Sequence, residues 1–456
     1  MSWVRAALFD ASFARDVRHS RSRMTSASSI AAVQDSFAAA TIRKIRLRLI
    51  PFLFAIFVVA FVDRINIGFA ALTMNQDLAI ASQQFGFLSG IFFFGYFLFE
   101  IPSNYLLHKI GARVWIARIL LTWGLIATLT GFVQSVHQLY VMRFLLGLAE
   151  AGYFPGIVLY LTYWFRQRDM AQTVALFMTG LPVTSIIGAP ISGVILDHVH
   201  WLSLNSWRWL LILEGSPAIL FGFLTYLVLP NGPADARFLD SGEKSWLLAE
   251  LKNEERQKLA IRRYSIREAL TNGRVWHLTF VYFGIMVGGY ALQFWGPQIL
   301  KLAAADSTNV AVGLSLMVVH LIGLVAMILV SRSSDRILER RFHVAMPAMV
   351  GGMALFLLSV PHNPPTSVIL LSLLAVGVYS SLSPFWAMPN EFLAGYSAAV
   401  GIALINCCGN LGGFVGPYTI GALAWQAGSI YPGLAVCGLP ILLAGALALV
   451  LRQQAA

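Results

Sequence analysis

Charge is what this chain lacks. Of its 456 residues only 12% are Asp, Glu, Lys or Arg, while 58% are hydrophobic. A water-soluble fold of this length needs far more polar surface than that. Apolar runs of bilayer-crossing length recur along nearly the whole chain, which makes it a polytopic helical membrane protein. Cysteine is scarce too. Cys407, Cys408 and Cys437 all lie in apolar segments, two of them adjacent and none with metal-ligand spacing, so no disulfide framework, metal or cofactor is expected. The spans also lack a nucleophile–base set, which argues against a membrane-embedded enzyme. The net charge of +11 is no nucleic-acid signal here, because basic residues in membrane proteins set topology.

Twelve spans are expected, at about 49–73, 84–107, 114–133, 139–165, 171–197, 207–229, 275–303, 309–331, 343–360, 366–388, 394–425 and 430–451. Residues 1–44 are Arg-, Ser- and Ala-rich without a long apolar core. They are expected to form a disordered cytoplasmic tail, with Met24 as an alternative initiator. Arg43, Lys44, Arg46 and Arg48 precede the first span and place the N-terminus inside. Lys109, Arg113, Arg166, Arg168, Arg332, Arg336, Arg340 and Arg341 fall on the same side. The opposite loops near 74–83, 134–138 and 426–429 have no Lys or Arg, and Lys301 and Arg208 are the exceptions. Both termini are therefore expected in the cytoplasm, with the chain in the cell inner (plasma) membrane as a multi-pass monomer.

The chain divides into two six-helix halves, 45–229 and 275–456. A charged cytoplasmic linker at 230–274 carries a short amphipathic helix around Ser241–Leu248. The halves read as repeats. Gly188-Ala189-Pro190-Ile191-Ser192-Gly193 in span five recurs as Gly416-Pro417-Tyr418-Thr419-Ile420-Gly421 in span eleven. The basic loop His108–Arg113 is matched at nearly the same offset by Asp335-Arg336. Parallel repeats around a midplane site are a common plan of secondary transporters.

The few charges inside spans carry the most information. Each costs roughly 2.5–3.5 kcal/mol at a membrane-helix centre on insertion scales. Arg143 and Glu150 share one face of span four, Asp63 and Arg64 are adjacent in span one, and the second half has almost none. Such residues line a pathway or, on the plainer alternative, form ion pairs that lock helices together.

These motifs resemble the major facilitator superfamily, specifically its anion:cation symporter branch. The resemblance rests on Asp63-Arg64-Ile65-Asn66-Ile67-Gly68, on Gly95 through Asn104, on Arg143 through Gly156, and on Trp207-Arg208-Trp209 with Glu214-Gly215. Leu229-Pro230 and Pro233 through Arg237 continue it. It covers about residues 45 to 450 and is similar in feel to bacterial permeases for tartrate and related sugar acids. It implies alternating-access uptake of an organic anion with protons. His108, Arg166 and Gly242 depart from the family pattern, which bears on gating and not on class. An exporter or exchanger of the same fold, or a receptor without turnover, is the alternative.

A carboxylate substrate loses water on entering the cavity and needs fixed positive charge and donors. The guanidinium fork grips a carboxylate through two bonds. By resemblance Arg64 faces the substrate and Arg143 pairs with an acid. Asp63 and Glu150 are the candidate proton carriers, because burial favours a protonated carboxyl and a nearby arginine opposes it. An arginine that alternates between substrate and carboxylate would couple the two events, so Asp63, Arg143 and Glu150 form the proton-coupling set. Neutral contacts are expected from Tyr96, Tyr290, Gln293, Ser383, Trp386 and Asn406, of which Trp386 and Asn406 match substrate-hydroxyl positions of the family. Lys109, Arg113, Asp335 and Arg336 are the expected gating residues. Glu100 and Glu214 are expected to pack or gate, and His277 and His320 to pack. Pro297 and Pro389 are placed to break helices near the gates.

Overall fold

The computed structural model describes residues 3–260, 271–391 and 395–451, with side chains placed from Asp35 on except at 171, 172, 175, 255, 257–260, 390, 391 and 395–400. Most of the tail expected over 1–44 lies outside the described side chains, and 261–270 of the linker lie outside the described residues.

All twelve expected crossings are helical, and no strand occurs among the described residues. The first three are α1 (Asp35–Asp77), α2 (Ser82–Ile110) and α3 (Ala112–Thr130). The fourth is two helices, α4 (Val136–Glu150) and α5 (Tyr153–Thr162), and the fifth is α6 (Gln167–Met178) with α7 (Gly180–His198). After α8 (Ser206–Val228) comes the linker helix α9 (Ser241–Ala260), longer than the stretch around Ser241–Leu248. The second half holds α10 (Gly273–Ala303), α11 (Asn309–Ile337), α12 (Arg341–Leu357) and α13 (Pro364–Ala387). Its eleventh crossing is α14 (Gly395–Asn410) with α15 (Gly412–Ala427), and α16 (Tyr431–Val450) is the twelfth. Side-chain caps start several of them. Ser135 accepts from Gln138 N, Thr308 from Ala311 N and Asn363 from Thr366 N, each satisfying a backbone donor that the helix leaves open.

Two expectations about helix breaks change. The fourth crossing is interrupted directly after Glu150, where Gly152 takes φ +81°. A β-carbon there would lie 2.4 Å from Ser103 Oγ, so both the turn and the approach of α2 require glycine. By contrast α10 runs on through Pro297, while Pro389 sits in the short turn Met388–Glu391 that ends span ten.

The repeated glycine motif does the same work twice. A β-carbon at Gly193 would meet Asn309 O at 2.5 Å, and one at Gly421 would meet Ser82 O at 2.3 Å. In each case the second glycine seats the first turn of a span from the other half: α11 on α7, and α2 on α15. The partner glycines correspond as well, with Gly313 against Ala189 O at 2.4 Å and Gly86 against Pro417 O at 2.7 Å. The first glycines face spans one and seven, Gly188 against Val62 at 3.3 Å and Gly416 against Val287 O at 2.7 Å. Small residues let backbones close where lipid supplies no hydrophobic drive. These contacts join the two halves at the end opposite the basic loops. Asp197, at the end of α7, adds a cap across the halves, accepting from Asn309 N (3.2 Å), Asn309 Nδ2 (2.7 Å) and Val310 N (2.8 Å).

The Trp207-Arg208-Trp209 motif ties the same end of the first half. Arg208 Nη1 donates to Gly131 O (3.1 Å) and Val133 O (2.5 Å), which closes the C-terminus of α3, and Trp207 Nε1 donates to Asp77 Oδ2 at 2.8 Å. At the opposite end α9 docks on the first half. Lys44 pairs with Glu243 at 2.7 Å, Trp246 meets Phe37 edge-on, and Arg166 lies 5.1 Å over the Trp246 ring. The Arg166 that departs from the family pattern thus holds the linker helix.

Candidate functional site

Between the halves lies a cavity lined from α1, α2, α4, α5, α7, α10, α13 and α14, and from α6 through Met178. It brings together Arg64, Tyr96 and Glu150 of the first half with Tyr290, Gln293, Trp386 and Asn406 of the second.

Arg64 is the centre. Its Nη2 forms an ion pair with Glu150 Oε1, and its Nη1 lies 3.4 Å from the Tyr290 hydroxyl of the other half. The rings of Phe61, Phe92 and Tyr96 stand 4.9–5.3 Å from the guanidinium carbon. They hold its plane and supply π-faces in place of water. Arg64 Nε and Glu150 Oε2 have no hydrogen-bond partner among the described residues. The guanidinium therefore keeps an unused donor while it binds Glu150.

The acid expected to pair with Arg143 is not found. Glu150 pairs with Arg64, and Arg143 has no acid within ion-pair distance among the described residues. Seven residues along a straight helix are about 10 Å of rise, too far for Arg143 and Glu150 to touch directly. Arg143 instead donates from Nη2 to Arg64 O at 3.4 Å and lies 5.3 Å over the Phe92 ring. It holds the backbone that carries Arg64, and it does not line the cavity.

Asp63 is buried behind the cavity wall, 3.4 Å from Asn66 Nδ2, and feels the charges of Glu214, Glu150 and Arg143. Glu214 accepts from Ser192 at 2.7 Å. Glu100 also lies off the wall but crosses the halves, accepting from Asn406 Nδ2 at 2.9 Å. Its packing role is therefore an inter-half contact.

The second-half wall is neutral and polar. Asn410 Nδ2 donates to Asn406 O and Oδ1, and its own Oδ1 is 3.5 Å from the Tyr290 hydroxyl. Trp386 stands edge-on to Tyr282 with ring centroids 5.0 Å apart. Ser383 departs from expectation, being exposed on α13 and not among the lining residues. Its spacing to Trp386 is three residues, but the packed face of α13 runs through Leu382, Pro384 and Phe385. Tyr282 and Tyr379 do line the cavity. Aligning Pro155 with Pro384 of the two repeats sets Tyr379 opposite Glu150, whereas aromatics abound in these spans and no sequence signal sets Tyr282 apart.

The expected gating residues sit at the basic-loop end and contact their own halves. Arg113 lies 4.8 Å over the Tyr226 ring and donates its backbone N–H to Asn231 Oδ1 at 3.3 Å, while Asp335 pairs with Arg340 at 2.6 Å. Lys109 and Arg336 are exposed. Among the described residues no bond joins Lys109 or Arg113 to Asp335 or Arg336. His277 Nε2 donates to Leu447 O, 2.8 Å away, a span-end contact as expected.

Comparison with known proteins places this geometry. Residues 52–417 match the family model of the Major Facilitator Superfamily. Two proteins of Agrobacterium vitis, each called "Putative tartrate transporter", are 44% identical over 86% of this chain and 90% of theirs, and 42% identical over 92% and 93%. A solved structure of a bacterial homologue of the human lysosomal transporter Spinster, inward-facing and occupied, superimposes with a TM-score of 0.71 at 15% identity, over 89% of this chain and 96% of that one.

Proposed function

Because the chain belongs to the major facilitator superfamily, and so is a multi-pass membrane transporter and not an enzyme, we propose that it takes up a small organic anion together with protons by alternating access. Tartrate and sugar acids are the favoured substrates. The observation that carries this is the Arg64–Glu150 pair inside a cavity whose other wall is neutral and hydrogen-bonding. The pair is neutral as a unit. An arriving carboxylate adds a negative charge, and a proton taken up on Glu150 cancels it and frees Arg64 for the substrate. Arg64 then offers its fork to the carboxylate, while Tyr290, Gln293, Asn406 and Trp386 meet the hydroxylated part. The relatives' name points to the same class of ligand. In this reading the protein sits in a bacterial inner membrane with the basic loops and both termini in the cytoplasm, as the positive-inside bias supports.

The test is uptake into liposomes containing the purified protein, with labelled tartrate and a panel of small carboxylates. The expected result is accumulation above the outside concentration under an inward proton gradient, abolished by a protonophore. Transport only outward, or exchange that ignores the gradient, would make it an exporter or exchanger. Binding without flux would make it a receptor.

A further inference from the structure

Behind the neutral wall is a buried histidine that the transport cycle above does not use. His320 of α11 is 3% exposed, and its Nδ1 lies 2.9 Å from the hydroxyl of Tyr379 on α13. The same hydroxyl accepts from Gln293 Nε2 of α10 at 3.1 Å, and the Gln293 amide in turn meets Ser185 Oγ of α7 at 3.3 Å. Four helices, one of them from the first half, thus contribute to a single line of hydrogen bonds. Tyr379 and Gln293 line the cavity, and His320 does not.

A phenol hydroxyl has one proton and two lone pairs. With Gln293 donating to it and His320 Nδ1 sharing its next position, two of the three are committed. The ring is also packed closely on one side. Gly323, one turn beyond His320, leaves room only for the Tyr379 ring, since a β-carbon there would lie 2.7 Å from Cδ2. The remaining hydrogen-bonding position of Tyr379, beside Ser185, is therefore limited in direction before any ligand arrives. A rigid polar group of this kind favours a ligand hydroxyl that satisfies it over an analogue that leaves it bare.

We propose that His320 is a positioning residue that sets the preference of the site for hydroxylated acids, by holding Tyr379 and Gln293 in the orientation that reads a substrate hydroxyl. This rests on the transport reading above: Arg64 takes the carboxylate, and the His320-backed wall takes the hydroxyl.

The test uses acids matched with and without hydroxyls: tartrate with succinate, lactate with propionate, gluconate with hexanoate. Each competes for equilibrium binding to the purified full-length protein and to the His320→Leu, His320→Asn and Tyr379→Phe variants. The wild type is expected to favour the hydroxy acid of its best-bound pair by about tenfold or more, the worth of a well-made hydrogen bond. His320→Leu and Tyr379→Phe should bring that ratio to within about threefold by weakening the hydroxy acid alone. His320→Asn, which keeps a polar atom where Nδ1 stands, should retain it. A wild-type ratio near one overturns the proposal. So does a His320→Leu protein that keeps the ratio or weakens both acids equally. If His320→Leu does not fold, Tyr379→Phe decides, and an unchanged ratio there overturns it. If the wild type binds none of these acids, the transport reading itself fails and the proposal falls with it.

Discussion

At the scale of residues, the site turns on which acid or anion holds Arg64. An ion pair deep in a membrane protein loses hydration on both partners, so removing one leaves a costly charge unless another group replaces it. In the cycle proposed above, the arriving carboxylate is that group. Arg64→Lys keeps the charge but loses the planar fork. It is expected to weaken binding of the transported acid by about 1.5–3 kcal/mol, the range for a charge-assisted hydrogen bond. Calorimetry on folded protein checks this, and equal affinity would remove Arg64 from the site. Trp386→Ala is expected to reorder the preference among competing acids while leaving proton dependence intact, because Trp386 lines the cavity from the second half and carries no charge, while the Arg64–Glu150 pair belongs to the first. An unchanged ranking would count against its place at the ligand. Arg64 and Glu150 were legible in sequence because charge inside a span is rare enough to mark itself. Their pairing was not, since helical spacing relates Glu150 only to residues of its own span and says nothing of span one. His320 was read as packing because its partner is a neutral tyrosine on another helix, and no spacing rule joins the two.

At the scale of elements, the sealed end depends on backbones in contact. Gly193 and Gly421 each seat a helix start from the opposite half. Replacing either by Val forces a side chain into space already occupied by a carbonyl, an overpacking cost of about 1–3 kcal/mol borne by the sealed form alone. Gly193→Val and Gly421→Val are therefore expected to shift the protein towards forms open at that end. Distances between spin labels at the outer ends of α2 and α15 should lengthen in both variants. Unchanged distances would mean that the glycines do not govern closure. Asp197→Ala is expected to act in the same direction, since it removes three hydrogen bonds that cross the halves. The repeated motif and all twelve crossings followed from glycine spacing and apolar length. The break after Glu150 did not, because φ at Gly152 answers to Ser103 on a neighbouring helix, which local sequence does not reveal.

At the scale of the whole molecule, the scaffold is symmetric and the chemistry is not. α7 on α11 and α15 on α2 are the same junction made twice, while every charge at the cavity wall comes from the first half. The second half contributes neutral donors, acceptors and aromatic faces. In the cycle proposed above, the first half holds the proton and the carboxylate, the second half selects the ligand, and the junctions between them open and close. The coupling step is the part of this account on which the rest depends. Glu150→Gln fixes the side chain in the form that does not hold Arg64 by charge, and it can neither take up nor release a proton. The decisive measurement assays one liposome preparation of this variant in two ways, by one-for-one exchange of labelled tartrate at equal pH and by uptake under an inward proton gradient. The account predicts that exchange persists near the wild-type rate while uphill accumulation is lost. A variant that still concentrates substrate under the gradient would contradict it, leaving Glu150 as a structural partner of Arg64 with the proton carried elsewhere.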